Sequence, residues 1–192
     1  MSILDRAALI EAFRALNEEL VRSEVRAEVF VVGGAAMALA YDTRRSTVDV
    51  DVVFVPAAEV RTAAHRVAER LGLENDWLND GAKAFMPGPD SDRIGVFEGT
   101  NLSVAAASPH YLLAMKLLAA RLDRDQDDIR LLYELCEFTT PEEGGNLLES
   151  TYPNRITAPR VQFLLEEMFP GRSPERTQAA PRVERDGPDL GR

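Results

Sequence analysis

Two aspartates stand two residues apart among valines in Arg45-Ser46-Thr47-Val48-Asp49-Val50-Asp51-Val52-Val53-Phe54. Along a β-strand alternate residues share a face, which predicts Arg45, Thr47, Asp49 and Asp51 on one side and Val48, Val50 and Val52 on the other. The valine side reads as core. The other side sets two carboxylates roughly 6–7 Å apart with no lysine beside them. Paired anions on an apolar strand repel each other and resist desolvation unless a cation compensates them. A hard divalent ion with oxygen ligands suits that need, and Mg²⁺ is commonly held by one or two carboxylates plus substrate phosphates. The plainer alternative is an edge strand whose acids face water.

A second cluster lies downstream. Lys116 is the one charge in Leu112-Leu113-Ala114-Met115-Lys116-Leu117-Leu118-Ala119-Ala120. A helix of that composition is buried around most of its circumference, so the ammonium needs either a route to solvent or an anionic partner. Surface pairing with Asp123 or Asp125 is the plainer reading.

These residues carry a resemblance. Val31-Val32-Gly33-Gly34, a short helix, then Arg-x-Thr-x-Asp-x-Asp on a strand resembles the polymerase β-type nucleotidyltransferase superfamily. More narrowly it resembles the AbiEii/MenT-like nucleotidyltransferase toxins of bacterial toxin–antitoxin pairs. The string around Lys116, then Arg124-Asp125, Asp128-Ile129, Tyr152-Pro153 and Leu164-Leu165-Glu166-Glu167-Met168-Phe169, extends the likeness over residues 28 to 170. It implies Mg²⁺ on Asp49 and Asp51, with the Gly33-Gly34 turn against a nucleoside triphosphate, where glycine lets backbone approach phosphate closely. It also implies that Lys116 holds the triphosphate and balances the leaving pyrophosphate, beside Arg45 and Thr47 on phosphate oxygens. Asp128 best matches a later aspartate that contacts or orients the reacting groups; Asp125 and Asp127 are close enough to share the candidacy. Many such enzymes use a third carboxylate from a later strand, and Glu98 is the nearest candidate here.

The reaction so implied is nucleotidyl transfer from NTP to an acceptor with release of pyrophosphate. The expected acceptor is the 3′ end of tRNA, which would block translation, and the expected partner is a cognate antitoxin protein. One alternative is transfer to a protein hydroxyl or a small molecule such as an aminoglycoside. Another is a nucleotide- or partner-binding module without catalysis. Arg44, Arg45, Arg61, Arg66, Arg121 and Arg124 are the cations available for an RNA-facing surface.

The elements that must position these groups follow from periodicity. Residues 4 to 22 read as an amphipathic helix, 28 to 32 as a strand entering the glycine turn, and 35 to 41 as a short apolar helix. The aspartate strand ends at Pro56, and 57 to 71 reads as a helix with Val60, Ala64, Val67 and Leu71 on one face. Residues 74 to 92, rich in Asn, Asp, Gly and Pro, read as irregular. Short strands are expected at 93 to 97 and 101 to 105. Ser108-Pro109 starts a helix through Arg121. Further helices are expected at 127 to 138, from Thr140-Pro141 to either Gly144-Gly145 or Tyr152-Pro153, and at 158 to 169. The expected fold class is α/β (α+β): a small mixed sheet flanked by helices, with a nucleotidyltransferase core at 1–107, a helical C-terminal part at 108–170 and a disordered tail at 171–192.

Bulk properties exclude several classes. The chain has 192 residues, 45% of them hydrophobic, enough to bury a core. Its net charge of −10 excludes coating of nucleic acid by bulk electrostatics, so an RNA acceptor would need a local basic surface. One cysteine, Cys136, fits a reducing compartment and a packed side chain, and two histidines, His65 and His110, make no zinc site. No signal-peptide pattern or membrane-spanning run is apparent, so a cytoplasmic location is expected. Trp77 either covers a core edge or stacks a base.

Overall fold

The computed structural model describes residues 3–42, 44–119, 121, 125–156 and 158–170. Its elements in chain order are β1 (Leu4–Asp5), α1 (Arg6–Arg22), β2 (Ala27–Val31) and α2 (Gly33–Ala36), the last continued by a π-helical turn, Met37–Tyr41. Next come β3 (Ser46–Thr47), β4 (Val50–Val55), α3 (Ala57–Leu71), β5 (Leu78–Asn79) and a 3₁₀ turn, Gly81–Phe85. The chain then forms β6 (Ile94–Glu98), β7 (Leu102–Ala106), α4 (Pro109–Ala119), α5 (Gln126–Leu135), α6 (Pro141–Thr151) and α7 (Pro159–Met168). The expected disordered tail, Arg124 and Ala120 lie outside the described residues.

Five strands form one mixed sheet in the order β5-β4-β2-β7-β6, and β1 and β3 pair separately. β2 lies antiparallel to β4 and parallel to β7, with Val31 opposite Val52 and Ala106. This register puts Val29, Val31, Val52, Phe54, Val104 and Ala106 on one buried face. Helices α1 and α3 pack on each other, α1 touching β7 and α3 touching β4. The Asp5 carboxylate accepts from the Ala8 amide at 2.8 Å and caps α1. Glu19, buried on α1, is held by Arg22, Arg66 and Arg70, so the carboxylate staples α1 to α3. Trp77 is 1% exposed, and its indole N–H donates to the Ala64 carbonyl at 3.0 Å, which makes it a core residue.

The C-terminal helices pack through α4, which touches both α5 and α6. Helix α6 runs through Gly144-Gly145 to Thr151, so the later of its two expected ends is the real one. The reason is a neighbour: a Cβ at Gly144 would fall 1.9 Å from the Tyr133 hydroxyl oxygen. Glycine is retained inside a helix, despite its entropic cost, so that the Tyr133 ring can enter and stack on Phe169 with centroids 3.7 Å apart. Thr140 and Glu143 form a capping box at its start. The α/β expectation holds, with a mixed five-stranded sheet flanked by helices. No helix among the described residues is long and apolar enough to cross a membrane.

Candidate active site

The segment that carries the aspartates departs from the even alternation expected of it, and β4 is an inner strand between β5 and β2 rather than an edge. The strand breaks at Val48 and Asp49, leaving β3 paired with β1 and β4 in the main sheet. Val50 and Val52 are fully buried, but Val48 is 40% exposed and lies on no core face. The bend is closed by the Thr47 hydroxyl, which donates to the Asp49 carbonyl at 2.9 Å. Asp49 therefore sits in a turn and Asp51 on β4, and both line one cleft of about 870 Å³.

Gly33 and Gly34 form the facing wall. Gly33 has φ +66°, and a Cβ there would lie 3.1 Å from the Asp51 Oδ2. At Gly34 a Cβ would lie 3.2 Å from the Thr47 hydroxyl oxygen. The two glycines let the start of α2 close onto the Asp51 and Thr47 side chains, a constraint that the sequence pattern did not suggest.

Helix α4 supplies the third wall. Leu112, Met115, Lys116 and Ala119, at helical spacing, line the cleft, while Leu113, Ala114 and Leu117 are buried. Ser108 starts this helix, and the Asp90 carboxylate accepts from its amide at 2.7 Å and its hydroxyl at 3.0 Å. Lys116 is largely shielded from solvent and pairs with neither Asp49 nor Asp51. Its ammonium lies 2.8 Å from Asp125 and 2.6 Å from Asp128. Asp128, buried at the first turn of α5, also receives the Arg45 guanidinium, which lies 3.4 Å from Asp42. Of the three acids weighed on this helix and its approach, Asp125 and Asp128 line the cleft and Asp127 is exposed.

The two sets of charges are thus unequal. Lys116, Arg45, Asp125 and Asp128 neutralise one another, whereas no ion pair among the described residues reaches Asp49 or Asp51. Burial first, and then the charge of Asp49, raises the Asp51 carboxyl above its ordinary value; Arg121 and a hydrogen bond from Asn79 pull the other way. Two carboxylates without an ion-pair partner in a cleft are a hard-oxygen donor set that fits Mg²⁺ with phosphate oxygens completing its shell. No cluster of three or more His, Cys, Asp or Glu that could hold a metal by itself occurs among the described residues. Glu98 does not join the pair. It pairs across β6–β7 with Ser103, level with Glu28 and Val55, at the opposite end of the sheet from Val31 and Asp51.

Of the arginines weighed as an RNA-facing group, Arg45 and Arg121 line the cleft. Arg44 pairs with Asp42, Arg61 with Asp80 and Arg66 with Glu19. Two cleft residues, Phe85 and Arg155, and one residue behind the aspartates, Asn79, were not singled out from the sequence. Asn79 on β5, register partner of Asp51, donates its amide to Asp49 at 3.4 Å and accepts from the Gly81 amide at 3.0 Å. Phe85 and Arg155 line the cleft. The signal for Asn79 was faint: one polar residue after the apolar pair Trp77-Leu78, in a stretch read as irregular.

No curated protein matches the chain. A crystal structure of an antigenic nucleotidyltransferase-like protein from Paracoccidioides brasiliensis is similar over 86% of this chain and 95% of that one, at 16% identity and a TM-score of 0.44. The family described as nucleotidyltransferase of unknown function (DUF6036) matches residues 7–139, which include the glycine turn, both aspartates of the pair, Lys116 and Asp128. The chain belongs to that nucleotidyltransferase family.

Proposed function

We propose that the protein is an Mg²⁺-dependent nucleotidyltransferase that moves a nucleotide from NTP onto the 3′ end of tRNA, as the toxin of an antitoxin-neutralised pair. The observation that carries the nucleotidyl-transfer reading is the inequality of charge in the cleft. Two carboxylates without ion-pair partners share a cleft with a glycine turn packed against Asp51, and the cations Arg45, Lys116, Arg121 and Arg155 line the same cleft. Asp49 and Asp51 would hold Mg²⁺, which when bound screens phosphate charge and acidifies the acceptor hydroxyl. Asn79 steadies Asp49, and Thr47 fixes the turn that presents it. Arg45 and Lys116 are the groups that would bind the triphosphate and stabilise the departing pyrophosphate, each exchanging an aspartate partner for phosphate oxygens. Asp128, released from one or both cations, would then hold Lys116 or Arg45 in place from behind.

The acceptor, the toxin role and the antitoxin are inferred from the resemblance of residues 28 to 170 to the AbiEii/MenT-like toxins. Arg121 and Arg155 in the cleft lining are the local cations compatible with an RNA end despite the net charge of −10. A second reading, a nucleotide-binding module without turnover, is favoured by one observation: among the described residues no third acid joins Asp49 and Asp51 in a metal-holding group, and Glu98, the candidate third carboxylate, lies at the far end of the sheet.

Incubation of purified protein with each α-labelled NTP, Mg²⁺ and total tRNA tests the proposal. The expected result is label on tRNA, lost by at least about 10³-fold in Asp49→Ala with the fold retained. Label on protein or a small acceptor instead would reassign the acceptor. Mg²⁺-dependent NTP binding with no transfer to any acceptor would establish the binding module.

A further inference from the structure

Beside its charges the cleft has an apolar wall. Ala82 and Phe85 from the 3₁₀ turn, and Met115, Leu118 and Ala119 from α4, line it. Phe85 is 54% exposed although its backbone is anchored at both sides. Its carbonyl accepts the Tyr152 hydroxyl at 2.7 Å, and the Ala84 carbonyl accepts from the Arg155 guanidinium at 3.3 Å. The start of the turn is tied to the carboxylates through Asn79, which accepts from Gly81 and donates to Asp49. A half-exposed ring is therefore carried on a backbone tied through Asn79 to Asp49, beside the side chains of Ala82, Met115, Leu118 and Ala119, which offer no hydrogen-bond donors.

Nucleobases present π faces that stack on such rings, and a stack reads the face of the base rather than its edge. We infer that Phe85 is the platform for the nucleobase of the triphosphate, with the Arg155 guanidinium at its margin, and that this wall accepts all four bases with little discrimination. The inference rests on the nucleotide reading of the same cleft. Substitution of Phe85 removes the ring alone, since its anchor to Tyr152 is a backbone carbonyl.

Calorimetric titration of the full chain in Mg²⁺ tests it, with α,β-methylene analogues of the four NTPs and, separately, inorganic triphosphate. Wild-type protein is expected to bind each analogue about 10- to 100-fold more tightly than inorganic triphosphate. Phe85→Ala should lose that margin for all four analogues yet bind inorganic triphosphate as wild type does, and Phe85→Trp should restore it. Analogue affinities within about twofold of wild type in Phe85→Ala would overturn the inference. So would unchanged analogue binding combined with a raised KM for tRNA, which would give the ring to an acceptor base. Failure of wild-type protein to bind either probe would instead overturn the nucleotide reading, and this inference with it.

Discussion

The two charged walls of the cleft use the same chemistry in opposite states. On the β4 side burial, and then the charge of Asp49, raises the Asp51 carboxyl, and no ion pair among the described residues reaches either aspartate. On the α4–α5 side Lys116, Arg45, Asp125 and Asp128, together with Asp42 and Arg44, form a closed set of ion pairs. An unpaired anion pair stores unfavourable energy that a bound cation releases. A closed set resists any ligand until one of its pairs opens. On the function proposed, binding of a metal–phosphate ligand would be favoured on one wall and opposed on the other, which would couple phosphate entry to cation entry.

Lys116→Ala attacks the closed wall and carries the largest expected effect after loss of the aspartates. Nucleotide affinity should fall about 100-fold, the scale of a lost charge-assisted contact to phosphate. Unchanged affinity would make Lys116 a structural counter-ion of Asp128. Asp128→Asn sharpens the comparison, because it opens the set while keeping both cations. Nucleotide binding should tighten several-fold in that variant while kcat falls, a split that a purely structural Asp128 would not give. Gly33→Ala attacks the junction between the walls. The left-handed backbone costs a non-glycine residue about 1–2 kcal/mol, and the added Cβ would meet Asp51 Oδ2 at 3.1 Å. A fall in Tm of about 2–8 °C is expected in a chain of this length, together with weaker transfer. A variant that melts and transfers like wild type would remove the close approach from the account.

The smallest expected effect concerns pH. A carboxyl raised in the folded state binds its proton more tightly there than in the unfolded chain. Its contribution to stability is therefore present below the ordinary carboxylate value and lost as pH rises through the raised one. Metal-free Asp51→Asn should melt above wild type at neutral pH, with the gap closing as pH falls through the carboxylate range. Mg²⁺ should raise the Tm of wild type and leave the variant unmoved. A gap independent of pH would assign the effect to packing.

Much of this arrangement was legible in the sequence because it is local. The apolar period over residues 57 to 71 marks α3 at both ends, where Pro56 and the left-handed Gly72 bound it. Gly33-Gly34 and the aspartate pair were likewise visible as residue types whose spacing has a chemical meaning. What escaped depends on partners distant in the chain. Val48 belongs to a strand pattern yet sits at the bend between β3 and β4, because β3 pairs with β1 rather than extending β4. Asn79 and Phe85 lie in a segment without periodicity, whose two-residue strand exists through its pairing with β4. Glu98 was close in sequence to the region expected to supply a third acid, but the antiparallel turn from β6 to β7 carries it to the other end of the sheet. Arg61 and Arg66 had the charge to face RNA but are engaged with Asp80 and Glu19. Residue type suggested a chemistry; topology decided which charges are left without an ion-pair partner.

The measurement that bears most directly on the unequal walls is nucleotide affinity with and without Mg²⁺, in wild type and in Asp51→Asn. Wild type should need Mg²⁺ for tight binding, by at least about tenfold, because phosphate cannot approach the unpaired carboxylates alone. Asp51→Asn, with half of that charge removed, should bind a non-reacting NTP analogue equally with or without the metal. Wild-type affinity that is indifferent to Mg²⁺ would contradict the account.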